Sequence, residues 1–142
     1  MLGLKVKFNK QVILLFFVLS LFPACSSQDY DNLTRVDVQK VEQEGDYEDT
    51  VILTDEEIMD KLRGIFKQIK WEPGKEVSME RKEDALVTLF YTLDENEPER
   101  LYEYRVWFND NNDAEIFSNH EKEGFGSLDR EHSIKLQSIL MN

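Results

Sequence analysis

The chain is expected to fold as an α+β domain: an antiparallel sheet of about five strands with two helices packed on one face. The expected order is strand, strand, helix, strand, strand, strand, helix. Two features carry this expectation. Residues 85–93 (ALVTLFYTL), 101–109 and 114–116 are apolar, β-branched and aromatic runs separated by short polar turns, the pattern of a three-stranded meander. Ile58, Leu62, Ile65, Phe66 and Ile69 form an apolar stripe of helical period upstream of it, and Leu136, Ile139 and Leu140 form a narrower one at the end.

The first 25 residues set the compartment. Lys5, Lys7 and Lys10 precede an apolar run, Val12 to Phe22, broken only by Ser20, and Pro23-Ala24-Cys25 closes it. This is the order of parts in an export signal. A membrane-spanning helix needs about 20 apolar residues, and eleven at about 1.5 Å each reach only about 17 Å of the roughly 30 Å required. An ordinary secretory cleavage site wants small residues at both minus three and minus one, and Phe22 is bulky where Ala24 is small. Cys25 is the chain's single cysteine.

Leu21-Phe22-Pro23-Ala24-Cys25 resembles the lipobox of bacterial lipoproteins, with Phe22 and Pro23 departing from its commoner residues. The resemblance implies cleavage between Ala24 and Cys25, a diacylglyceryl thioether on Cys25, and residence on the outer face of a cell membrane. The expected division is a signal peptide at 1–24, lipidated cysteine and tether at 25–32, and one α+β domain at 33–142. Two acyl chains give stable membrane residence where one is marginal.

Of the 142 residues, 17 are Lys or Arg and 29 are Asp or Glu. Loss of residues 1–24 removes three lysines and no acid, so 14 basic residues face 29 acidic ones and the net charge becomes −15. Phosphate backbones need Lys and Arg, so nucleic acid is excluded as a partner. The same excess opposes flat adsorption to an anionic leaflet and is expected to hold the domain off the membrane. With Cys25 lipidated no thiol is left for a disulfide or for catalysis.

Ser26 to Asn32 (SSQDYDN) reads as a polar tether. Val36, Val38 and Val41 among polar residues fit a half-exposed strand, and Thr50 to Leu53 fits a second after a turn at Gly45-Asp46. Thr54-Asp55-Glu56-Glu57 reads as a capping box opening the first helix, which Pro73-Gly74 would stop just after Trp71. Residues 75–84 form a charged connection, and 94–100 (DENEPER) a polar loop. In the strand at 101–109, Tyr102, Tyr104, Val106 and Phe108 share one face while Glu103, Arg105 and Trp107 share the other. Gly124-Phe125-Gly126 reads as a flexible approach to a last helix, about Arg130 to Leu140, capped by Asp129.

Ile52-Leu53-Thr54-Asp55, Tyr104-Arg105-Val106-Trp107-Phe108 and Gly126-Ser127-Leu128-Asp129, in that order, resemble segments of small lipoproteins and membrane-tethered domains of Gram-positive bacteria. That family carries no assigned activity, so the resemblance implies fold and location and nothing about chemistry.

Chemical motifs are sparse. His120 and His132 are the only histidines, without an HExxH arrangement, and the chain contains no GxSxG elbow, Gly-rich phosphate loop or CxxC. Ser118 and Ser133 each lie near a histidine in sequence. Asp110-Asn111-Asn112-Asp113 with Glu121 matches some EF-hand positions, but Ala114 and Glu115 occupy the fifth and sixth, so a polar hairpin turn is the first reading. No pattern calls for a metal or cofactor. The expected function is a noncatalytic binding module, tied to the membrane through covalent lipid and contacting an unknown protein or envelope ligand. Trp107, Arg105 and Glu103 are its candidate contact surface if that face stays open, since Trp and Arg are enriched at binding hot spots; the first reading of Trp107 itself is packing under a loop or helix end. The alternatives are an envelope-acting hydrolase and a lipid-anchored inhibitor or immunity-type protein whose acidic surface suits a basic partner.

Overall fold

The computed structural model describes residues 29–142, so the cleavage and lipidation positions Ala24 and Cys25 lie outside the described residues. Seven strands form one sheet. They are β1 (Leu33–Lys40), β2 (Val51–Leu53), β3 (Lys70–Glu72), β4 (Ala85–Tyr91), β5 (Arg100–Phe108), β6 (Ala114–Ser118) and β7 (Phe125–Leu128). Two helices, α1 (Glu56–Phe66) and α2 (Arg130–Leu140), complete the fold. The spatial order is β2-β1-β4-β5-β6-β7-β3, every neighbouring pair antiparallel.

The α+β class and the two helices agree with the sequence. The count of about five strands does not, because β3 and β7 were not expected and the chain order gains two strands. The first helix stops at Phe66, short of Trp71, which lies in β3 and pairs with Gly126 of β7. Its cap is Asp55, whose Oδ1 accepts the Ile58 N–H at 3.1 Å, in place of Thr54. α2 spans Arg130–Leu140 as expected, with the Asp129 carboxylate accepting the His132 N–H at 2.9 Å.

α1 follows β2 at one edge of the sheet and leads to β3 at the opposite edge, so it crosses the sheet face. Leu62, Ile65 and Phe66 of its stripe, joined by Met59 where Ile58 is only partly buried, pack with Leu136 and Leu140 of α2 in one core. That core is floored by Val36, Val38, Val87, Leu89, Val106 and Ile116. Registered pairs such as Val36 with Leu89 and Val106 with Ile116 place these side chains on one side of the pleat, as period-two alternation requires.

The fold begins before residue 33. Asp29 caps a 3-10 turn, Tyr30–Asn32, and Tyr30, expected in the tether, is only 2% exposed. Its ring packs 5.6 Å from Phe66, and its hydroxyl reaches across the core. Residues 26–28 lie between Cys25 and Asp29, the N-cap of that turn, in the sequence.

Candidate functional site

The outer face of the sheet, opposite the helices, carries the sequence's candidate surface, and the chain folds back over much of it. Trp107 is 2% exposed, and its indole N–H donates to the Arg81 carbonyl at 2.9 Å. The charged connection expected at 75–84 thus lies over the indole, and Trp107 is not an open hot spot. Arg105 remains half exposed but donates to the buried Glu83 carboxylate at 2.9 Å, and Tyr47 donates to the other oxygen of that carboxylate. Burial pushes the Glu83 carboxyl up, and the hydrogen bonds from Tyr47 and Arg105 outweigh it, leaving the group below its usual range. Glu103 is exposed, and its backbone N–H donates to Asn119 Oδ1 at 2.8 Å. A cavity of about 320 Å³ between this face and residues 77–81 is what remains open.

The loop at Asp110–Asp113 is a hairpin turn between β5 and β6. Asn109 Nδ2 and Asn111 Nδ2 donate to the two Asp113 oxygens at 2.7 and 2.9 Å, and Asn112 takes a φ of 69°. Among the described residues no three His, Cys, Asp or Glu side chains converge as a metal site. None of the described helices is long and apolar enough to cross a membrane.

On the helix side, Glu123 is buried at 3% exposure and gathers hydroxyl donors from three segments. Tyr104 donates at 2.9 Å, Ser118 at 2.7 Å and Tyr30 at 3.1 Å. The Ser118 hydroxyl thereby gives its proton to a carboxylate while its oxygen accepts the His120 backbone N–H at 3.0 Å, and the His120 ring turns elsewhere, its Nδ1 accepting the Lys122 N–H at 3.0 Å. The His120 ring lies 4.6 Å from that of Tyr102. Glu123 is the functional-looking group that sequence reading passed over, since nothing in the run 119–124 distinguishes it from the chain's many solvated acids.

A groove of about 580 Å³ lies between α1 and α2. Gly64, Ile65 and Ile139 form its apolar part, and Asp60, Lys61 and Lys135 line it with charge. His132 also faces it, with Nδ1 at 2.8 and 2.9 Å from the two Asp129 oxygens. Asp129 is held below its ordinary range first by the backbone N–H and then by the side chain of His132. Among the described residues no hydroxyl hydrogen-bonds the His132 ring, and Ser133 is buried on the helix face.

A Cβ added at Gly64 would meet nothing within 4 Å, so a glycine in mid-helix keeps the groove wall open. Alanine there would favour the helix by about 1 kcal/mol. Sequence reading missed the groove because its two walls, Glu56–Phe66 and Arg130–Leu140, are far apart in the chain and neither stripe reveals where the helices diverge.

No family model matches the chain, and no curated protein matches it significantly. Among solved structures, the crystal structure of a thioesterase-like protein from Clostridium sporogenes ATCC 15579 is similar to it, with a TM-score of 0.53 and 19% identity. The match covers 81% of this chain and 99% of that one. At that identity the likeness is one of fold.

Proposed function

We propose that the chain is a lipid-anchored binding module on the outer face of a bacterial membrane, with Cys25 as the anchor. The contact it offers is the groove between α1 and α2. The observation that carries this reading is the contrast between that open groove and its charged groups. Lys61 pairs with Glu57, Lys135 with Glu131, and His132 with Asp129. The groove thus combines an apolar patch with a paired rim, a composition suited to recognition.

The net charge of −15 for residues 25–142 selects the partner's chemistry: a protein segment that brings an apolar side chain flanked by basic groups. Gly64→Met tests it, because a Cβ at this position of the groove wall meets only open space. Capture of the partner by the anchored protein should fall sharply with Gly64→Met and with rising salt, while folding is retained. Capture unchanged by both would overturn the reading. The anchor is checked separately by the intact mass of the membrane-fraction protein, which should show Cys25 as the acylated first residue.

One observation favours a second reading, an ester or thioester hydrolase acting on an envelope substrate. The Asp129 carboxylate holds Nδ1 of His132 and orients the ring beside the groove, an arrangement that lets Nε2 serve as a base toward water. The fold neighbour is described as thioesterase-like. Hydrolysis of short acyl thioesters that is abolished by His132→Gln would establish this reading, and turnover unchanged by that substitution would remove it.

A further inference from the structure

We infer that the domain docks on the bilayer by one pole, the end of the sheet where Tyr30 enters the core, with Leu93 and Leu101 meeting the lipid surface. This rests on the lipid anchor at Cys25 proposed above, and the chain length between anchor and fold carries it further. Asp29 is fixed by its cap to Asp31, and Tyr30 by burial and by its bonds to Tyr104 and Glu123. The four steps from Cys25 to Asp29 span at most about 14 Å even when fully extended. β5 alone, from Arg100 to Phe108, runs about 27 Å from this pole to the other. The domain therefore cannot stand inverted on its far pole unless Tyr30 leaves the core, and the expected stand-off shrinks to a tether shorter than the domain.

What lies at the near pole fits a lipid surface. The Thr92 N–H donates to the Asn32 carbonyl at 3.0 Å, which puts the end of β4 beside the tether root. Leu93 follows it at 46% exposure. Leu101, paired with Phe90 one step in from the start of β5, is 53% exposed. Between these leucines the loop carries Asp94, Glu95, Glu97 and Glu99. The pole thus combines apolar side chains with local negative charge, a match for a zwitterionic surface and a mismatch for an anionic one.

Because lipid consumes the only native thiol, Asn96→Cys, in the exposed loop between the two leucines, and Asn111→Cys each provide a single labelling position on the anchored full chain. Asn111 lies in the turn at the far pole. With a fluorophore on either cysteine, in phosphatidylcholine vesicles containing nitroxide-headgroup lipid, the label at Asn96→Cys should be quenched several-fold more than that at Asn111→Cys. Adding phosphatidylglycerol at low salt should reduce the difference. A flexible Gly/Ser insert of about 20 residues between Gln28 and Asp29, reaching about 25 Å, should largely abolish it. Equal quenching of the two labels on a chain whose mass shows acylated Cys25 would overturn the docking pole alone. A chain without lipid at Cys25 would overturn the anchor and the pole together.

Discussion

The phenolic oxygens of Tyr30 and Tyr104 lie 2.8 Å apart and both reach the buried carboxylate of Glu123, so the start of the fold, β5 and the turn before β7 meet in one polar cluster. Buried polar groups are stabilising only when their partners are present. Tyr30→Phe and Tyr104→Phe should each cost about 1–3 kcal/mol in urea unfolding, and the double variant less than their sum. Strict additivity would show that the two hydroxyls act independently.

The same burial makes the fold sensitive to alkali. Desolvation, with smaller contributions from neighbours that include Glu123, raises the phenols of Tyr30, Tyr91 and Tyr104 above the ordinary value of 10.0. Below pH 10 these tyrosines are protonated in both states and stability is fully present. Above it the unfolded chain releases phenolic protons that the native chain keeps, so stability falls as pH rises toward the folded values. The slope contributed is at most about 1.4 kcal/mol per pH unit for each tyrosine. Tyr91→Phe should make the alkaline limb of a stability-against-pH curve shallower, and an unchanged slope would contradict this.

Trp107 carries a structural prediction, in line with the packed reading of its sequence position and not with the hot-spot one. Its ring stacks edge-on to Phe117 at 5.5 Å and its N–H holds the Arg81 carbonyl, so it ties residues 77–82 to the sheet. Trp107→Ala should destabilise the domain by about 3–5 kcal/mol and release that segment to proteolysis. Trp107→Phe should retain most of the packing and lose the indole bond. A Trp107→Ala variant of full stability would show that the cover contributes nothing.

Elements with long periodic signals were legible. β4 is a seven-residue run of apolar, β-branched and aromatic residues, β5 alternates over Leu101 to Val106, and α2 follows its cap and stripe. β3 has three residues, of which only Trp71 turns inward, so it offers no period to read and Trp71 passes for the end of α1. β7 was hidden by chemistry, because its Gly126 resembles a loop residue. Tyr30 is a single aromatic in a polar run, and its burial depends on Phe66, Tyr104 and Glu123, which sequence adjacency does not bring together. The interhelical groove depends on where two separately legible helices pack, which is a tertiary property. For Trp107 the face was correctly assigned, but its cover comes from a charged segment without periodicity.

Gly126 is the residue through which β3 joins the sheet. A Cβ there would sit 2.6 Å from both Ile69 Cγ2 and Trp71 Cε3, closer than real Cβ atoms approach, so the glycine is required by its neighbours across the strand pair and not by its own backbone angles. Gly126→Ala should displace the Trp71 ring from its edge-on contact with Tyr104, now at 5.4 Å between centroids, and cost about 1–3 kcal/mol. Trp71→Leu combined with Gly126→Ala should recover part of the loss, since the smaller side chain frees the space. Thermal unfolding of the two single variants and the pair checks this directly: a Gly126→Ala protein as stable as wild type would mean that Trp71 moves aside freely and that β3 is not pinned by this contact.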